Sequence, residues 1–144
     1  DRNLMEEIDY LIDTYYNKED WHKTRLDVDK ADIFYQEQLD ANNISFLRID
    51  GEIQGYLEVW WLDKNQLAAI VNGDDFNAYD ENLTDGDFAY VASAYVEKKY
   101  RGKLSLMKMK KDLEDQYKDR DYVGIIYEDA RRKNSLKYYK RGDI

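Results

Sequence analysis

The sequence predicts a mixed α/β domain, a central mixed β-sheet flanked by helices in the order α-α-β-β-β-α-β-α. Three observations carry this. Two strand-like runs, Ile44–Ile49 and Ile53–Leu62, meet at Asp50-Gly51, a turn signal for a β-hairpin. The run Phe88–Val96 is apolar and β-prone, and passes through a short basic turn straight into an amphipathic helix. A second strand-then-helix pattern follows, and a β-α-β-α run after a hairpin implies both parallel and antiparallel pairing.

The elements follow in order. Leu4, Ile8, Leu11, Ile12 and Tyr15 recur at three- and four-residue spacing, which predicts an amphipathic helix over residues 3–17. A second helix is expected over Val28–Ala41, with Ile33, Phe34 and Leu39 as its apolar side, before Asn42-Asn43 breaks the pattern. After the hairpin, Leu67–Val71 fits either an extension of the sheet or a turn of helix. Gly73–Asp75 and Asp80–Asp87 are polar, acidic loops. Beyond the Phe88–Val96 strand, Leu106, Met109, Leu113 and Tyr117 mark the inner face of a helix over Leu104–Lys118. Asp119–Asp121 is a turn, Tyr122–Tyr127 a short buried strand, and Ala130–Arg141 a final basic helix.

Length and composition set the outer limits. A chain of 144 residues is expected to form one domain, 1–144, with N-terminal helices in 1–43 and a core in 44–142. With no cysteine, disulfides, zinc–thiolate sites and thiol nucleophiles are excluded. A single histidine, His22, rules out a multi-histidine metal centre, and its place after Trp21 near the end of the first helix suits a surface role. No apolar run approaches the ~20 residues that span a bilayer, and no signal peptide is visible. A soluble, cytoplasmic protein with no membrane contact is the expectation. The formal net charge of −9 argues against nucleic acid, whose binding depends on neutralising phosphates. Fourteen tyrosines suit a core, an interface or a codon bias alike.

Against that acidic background, Lys98, Lys99, Arg101, Lys103, Lys108, Lys110 and Lys111 crowd into one interval. The last three fit an ordinary solvated helix face. The first four sit at the turn itself. First-turn amides of a helix have no intrahelical acceptor, and the aligned peptide dipoles favour an anion there. The turn is therefore a candidate site for phosphate or pyrophosphate.

This element order, with these residues in it, resembles the GNAT-type N-acetyltransferase superfamily. The likeness runs from Ile44 to Gly142, about two-thirds of the chain. Ile44–Leu62 resembles the family's second and third strands, Ala89–Val96 its central fourth strand, Tyr100-Arg101-Gly102-Lys103 its pyrophosphate loop, and Asn134–Gly142 its last core helix. The resemblance implies acetyl-CoA as co-substrate. Backbone groups of Ala94, Tyr95 and Val96 would hydrogen-bond its pantetheine arm as if it were an added strand. Arg101, Gly102 and Lys103, with amides through Ser105, would surround the pyrophosphate, and Asn134 falls near a cofactor-contacting position. Tyr139 matches the tyrosine that protonates the departing thiolate in many members, a role a phenol of pKa near 10 can fill. The acceptor would be a small-molecule or protein amine, attacking the thioester directly.

The sequence also departs from the family pattern. Leu104 and Leu106 stand where the loop usually has small residues, which let amides approach phosphate closely. Ala92 stands where many members carry a glutamate base, leaving Asp85, Asp87 or Glu58 as the acids within reach. The spacing from Tyr139 to Gly142 is one residue short, and the family's first and last two strands have no counterpart. Missing edge strands imply pairing with another chain, so a homo-oligomer through exposed sheet edges is an expectation. The alternative function is a GNAT-fold structural or assembly protein without catalysis. Trp60 and Trp61, adjacent on a strand, face opposite ways. One is expected in the core and the other at an acceptor cleft or partner surface; the acidic loop Asp74–Asp87, otherwise a solvated loop, lies where a cationic amine acceptor would enter.

Overall fold

Asp50 and Gly51 both take positive φ, +53° and +83°, the backbone of a tight turn whose twist suits a hairpin. The computed structural model describes residues 3–18, 28–120, 124–128 and 136–140. Two helices come first, α1 (Leu4–Asn17) and α2 (Val28–Asp40). The hairpin strands are β1 (Ile44–Ile49) and β2 (Glu52–Leu62). Then follow α3 (Lys64–Asn72), a 3-10 turn at Ala78–Asp80, β3 (Phe88–Val96), a second 3-10 turn at Lys98–Tyr100 and α4 (Lys103–Tyr117). Two short strands close the order, β4 (Gly124–Glu128) and β5 (Leu136–Lys140).

The five strands form one mixed sheet in the order β1-β2-β3-β4-β5. Only β3 and β4, joined by the α4 crossover, run parallel; the other neighbours are antiparallel. One face carries α4, whose Met109, Leu113 and Tyr117 pack on Leu57, Val59, Trp61 and Ala89. The opposite face carries α1 and α2, whose Leu11, Ala31, Tyr35 and Leu39 pack on Ile44 and Tyr56. A third cluster, Leu62, Leu83 and Tyr90, seats α3 and the acidic loop against that same second face.

Several expectations are corrected. The undecided run Leu67–Val71 lies within α3, whose start is fixed by a capping box: Asp63 accepts from the Gln66 amide while the Gln66 side chain accepts from the Asp63 amide. The final basic helix is not formed where the structure describes it, because Leu136–Lys140 is β5, hydrogen-bonded to β4. A short, tyrosine-bearing segment suits a strand once a neighbour offers its backbone. Residues 130–135 and 141, like His22, lie outside the described residues. On α2, Ile33 is 61% exposed, and Ala31, Tyr35 and Leu39 form the inner face instead. On α4, Leu106 is 40% exposed, because the first turn of the helix overhangs the sheet.

The two tryptophans divide as expected. Trp61 is fully buried on the α4 side, its indole N–H donating to Asn43 Oδ1 at 3.1 Å and its ring edge-on to Tyr117. The Arg120 guanidinium stacks 3.7 Å over the same ring and donates to the Thr84 carbonyl at 2.6 Å. Trp60 is half-buried on the other face, stacked on Phe76 with centroids 5.8 Å apart.

Candidate functional site

The strand β3 is used differently along its two edges. Along β2 it is paired from Phe88 to Val96, with one irregularity: Glu58 faces Ser93 and Val59 faces Val91, so Ala92 is the extra residue of a β-bulge. Along β4 it is paired only through Phe88, Ala89 and Tyr90. Past that point β4 continues with β5 alone, Tyr127 opposite Lys137 and Glu128 opposite Leu136. From Val91 to Val96, therefore, β3 has a strand partner on one side only among the described residues.

Alternation tells which groups face the gap. The Glu97 amide donates to the Gln54 carbonyl at 2.8 Å, on the β2 side. The amides and carbonyls of Val96 and Ala94 then point the other way, toward the side β4 has left. Such an edge can take the hydrogen bonds of an extended chain. Arg101 reaches back to this edge: its Nε donates to the Val96 carbonyl at 2.8 Å, and its guanidinium lies 5.4 Å from the Tyr95 ring centroid.

The strand ends against an open helix start. In α1 the Asn3 side chain caps the Glu6 amide at 3.1 Å, and α3 has its capping box. In α4 the N-cap is Gly102, in extended conformation, with no side chain to bond the first amides. A Cβ built on Gly102 would meet nothing within 4 Å, so the space over the turn is clear. Leu104 is 81% exposed, so its side chain does not fill that space from within the fold. Ser105 Oγ donates to the Tyr100 carbonyl at 2.7 Å, which braces the turn and leaves the Ser105 amide at the helix start. Lys98, Lys99 and Arg101 are all exposed here. Uncapped amides, the helix dipole and three cations favour an anion.

Ala94, Tyr95, Val96, Arg101, Gly102, Lys103 and Ser105 are thus brought together at the junction of β3 and α4. Tyr139 is not: it lies on β5 opposite Ile125, two strands from β3, and not on a helix. Asn134 lies outside the described residues. Of the three candidate acids, Asp85 is exposed and accepts from Asn82 Nδ2 at 2.8 Å within its own loop, and Asp87 is exposed. Glu58 is 3% exposed, on β2 beside the bulge.

A group the sequence reading passed over is Glu97, at the end of β3. Its carboxylate accepts from Lys18 at 3.2 Å, Tyr95 Oη at 3.4 Å and Tyr10 Oη at 3.5 Å, tying the last turns of α1 to the strand end. Burial, and then the negative charge of Glu97, raise the Tyr10 phenol well above its ordinary pKa. An acid directly after a buried strand was the available signal. Among the described residues, no helix is long and apolar enough to cross a membrane.

No protein-family model and no curated protein matches the sequence. Solved structures do resemble the fold. Ribosomal-protein-alanine N-acetyltransferase from Brucella melitensis superposes with a TM-score of 0.52 at 14% identity, over 86% of this chain and 67% of that one. The structure of yncA from Salmonella typhimurium with its cofactor acetyl-CoA gives 0.48 at 16% identity, over 85% and 61%. A predicted acetyltransferase from Clostridium acetobutylicum with acetyl-CoA gives 0.47 at 18% identity, over 88% and 71%. The first of these, together with the sheet order and the parting of β3 from β4, assigns the architecture: the chain has the GNAT-type N-acetyltransferase fold, in a divergent form.

Proposed function

We propose that the protein transfers an acetyl group from acetyl-CoA to a small-molecule or protein amine, by direct attack and without a covalent enzyme intermediate. The observation that carries this reading is the half-open edge of β3 running into the uncapped start of α4. The backbone of Ala94, Tyr95 and Val96 would hold the pantetheine arm by strand-like hydrogen bonds. Arg101, Gly102 and Lys103, with the amides through Ser105, would hold the pyrophosphate. Acetyl-CoA supplies the activated acyl group.

One observation favours a second reading, a GNAT-fold structural or assembly protein without catalysis. Arg101 closes onto the Val96 carbonyl that the pantetheine arm needs. The two readings part on a single titration of acetyl-CoA followed by calorimetry. Saturable micromolar binding, weakened about tenfold in Arg101→Ala, about 1.4 kcal/mol, is the expected result. No binding up to millimolar acetyl-CoA would overturn the enzyme reading in favour of the scaffold.

A further inference from the structure

The outer edge of the sheet is β1, which has β2 as its strand partner among the described residues. The Asn43 carbonyl just before it accepts from the Val59 amide at 2.8 Å, on the β2 side. Alternation then turns the amides and carbonyls of Ile44 and Phe46 outward, away from β2. Both residues line a groove of about 370 Å³ between α1 and α4, together with Ser45, Glu7, Asp112 and Asp115.

Two features of the groove point to a ligand. Ser45 is 5% exposed, and its hydroxyl has no hydrogen-bond partner among the described residues. A buried hydroxyl left without a partner is costly unless a bound group supplies one. Asp112 and Asp115, one turn apart on α4, are exposed and have no cationic partner among the described residues. Arg48, the cation of the lining, is already shared by Glu6 at 3.2 Å and Glu7 at 3.6 Å. The groove therefore offers unpaired negative charge beside an unpaired backbone edge.

We propose that this edge docks an extended, cationic segment of a partner protein, which adds to the sheet as a strand beside β1. The outward backbone of Ile44 and Phe46 recognises an extended chain, which a small cation cannot satisfy. Successive side chains of an added strand fall on alternate faces. Those on the α4 face meet Asp112, Asp115 and the Ser45 hydroxyl. Those on the α1 face meet the half-buried Phe46 ring. A segment that alternates Lys or Arg with apolar residues matches both faces. A second copy of this chain does not. Two-fold pairing of β1 with β1 sets the Asp112–Asp115 flank of one α4 beside that of the other, like charge against like. The expected homo-oligomer is thus disfavoured at this edge. The groove lies two strands from β3, so the docking is separate from the acetyl-CoA turn and holds under either reading of the function.

The test titrates a blocked peptide of alternating lysine and valine, as long as the six-residue β1, and follows binding by calorimetry. Saturable binding with a Kd below about 1 mM is expected. Amide hydrogen exchange read by NMR should show new protection at Ile44 and Phe46. Replacing both Asp112→Asn and Asp115→Asn should weaken binding about fivefold, and thermal unfolding checks that this exposed pair leaves the fold intact. Ser45→Ala should weaken it about threefold without loss of stability, because the hydroxyl has no partner inside the protein. The same peptide N-methylated at alternate amides keeps its charge but loses its strand edge, and should not bind. Equal binding of the methylated peptide, or binding indifferent to the two aspartates, marks charge attraction alone and overturns the proposal. So does binding without protection at Ile44 and Phe46, or no binding up to millimolar peptide. A dimer in sedimentation that protects those two amides without peptide would give the edge to a second copy instead.

Discussion

The last turns of α4 are locked into the fold, with Met109, Leu113 and Tyr117 buried and Arg120 just beyond them clasping the Trp61 ring. Its first turn has no side-chain cap, and Leu104 stands in solvent. One helix thus serves two purposes at its two ends. Burial at the far end holds the helix in place, so the near end does not need to be closed to keep it helical. The stability of the domain and the proposed anion binding at the helix start are therefore separable by mutation, and the expected effects fall in a clear order.

The largest breaks the closed end. Trp61→Ala removes a fully buried side chain, the seat of Tyr117 and the ring under Arg120. Chemical denaturation is expected to register a loss of about 3–5 kcal/mol. A native-like midpoint would mean that α4 is held elsewhere.

The second closes the open end. Gly102 sits in extended backbone with clear space around it, so Gly102→Asp fits without strain and supplies the missing cap. Stability should rise by a few tenths of a kcal/mol, about what a good cap gains over glycine. Acetyl-CoA affinity should fall about tenfold or more, because the carboxylate takes the amides and repels phosphate. Calorimetry and thermal unfolding together read both directions. If affinity is unchanged, the helix start is not where the anion sits.

The third concerns α1, where the raised Tyr10 pKa means that folding favours the neutral phenol. That contribution is present in full below the unfolded value of about 10 and is lost as pH rises above it toward the folded value. Unfolding free energy should decline above about pH 10, and Tyr10→Phe should flatten that decline. At neutral pH the same change should cost under about 0.5 kcal/mol, since the hydrogen bond to Glu97 is long at 3.5 Å. The smallest effect is at the exposed start of α4: Leu104→Ser should alter stability by no more than about 0.5 kcal/mol. A larger loss in denaturation would reveal a packing partner for that leucine.

Much of the fold was legible because its signals are local. Asp50-Gly51 demands positive φ and so announces the hairpin, and the limits of β1 and β3 read directly from apolar, β-prone runs. The inner face of α4 was readable at Met109, Leu113 and Tyr117 but not at Leu106, because periodicity does not tell how far a helix overhangs its sheet. Ile33 misled for a related reason: Tyr35 buries its ring while Ile33, the more apolar residue, faces water. The α3 start was readable in Asp63-Lys-Asn-Gln66, a capping-box spacing hidden by a short apolar run. By contrast β5 reads as a helix because its short run carries no clear alternation, and only antiparallel pairing with the preceding strand β4 shows it to be a strand. The strand-to-helix turn itself was legible from Arg101-Gly102-Lys103. Glu58 stood out less, since only pairing across strands brings it level with Ser93.

The bulge at Ala92 has a consequence for how β3 can change. Phe88, Tyr90 and Ala92 share one face with Tyr95, while Ala89, Val91 and Val96 share the other, so the strand's alternation shifts its reading frame by one at that point. Deleting Ala92 would give plain alternation and leave Ser93 and Tyr95 on the face of Tyr90, with Val96 still toward α4. Position 92 can therefore be exchanged, or lost as a single codon, without turning the rest of the strand over or breaking the pairing of Ser93 with Glu58.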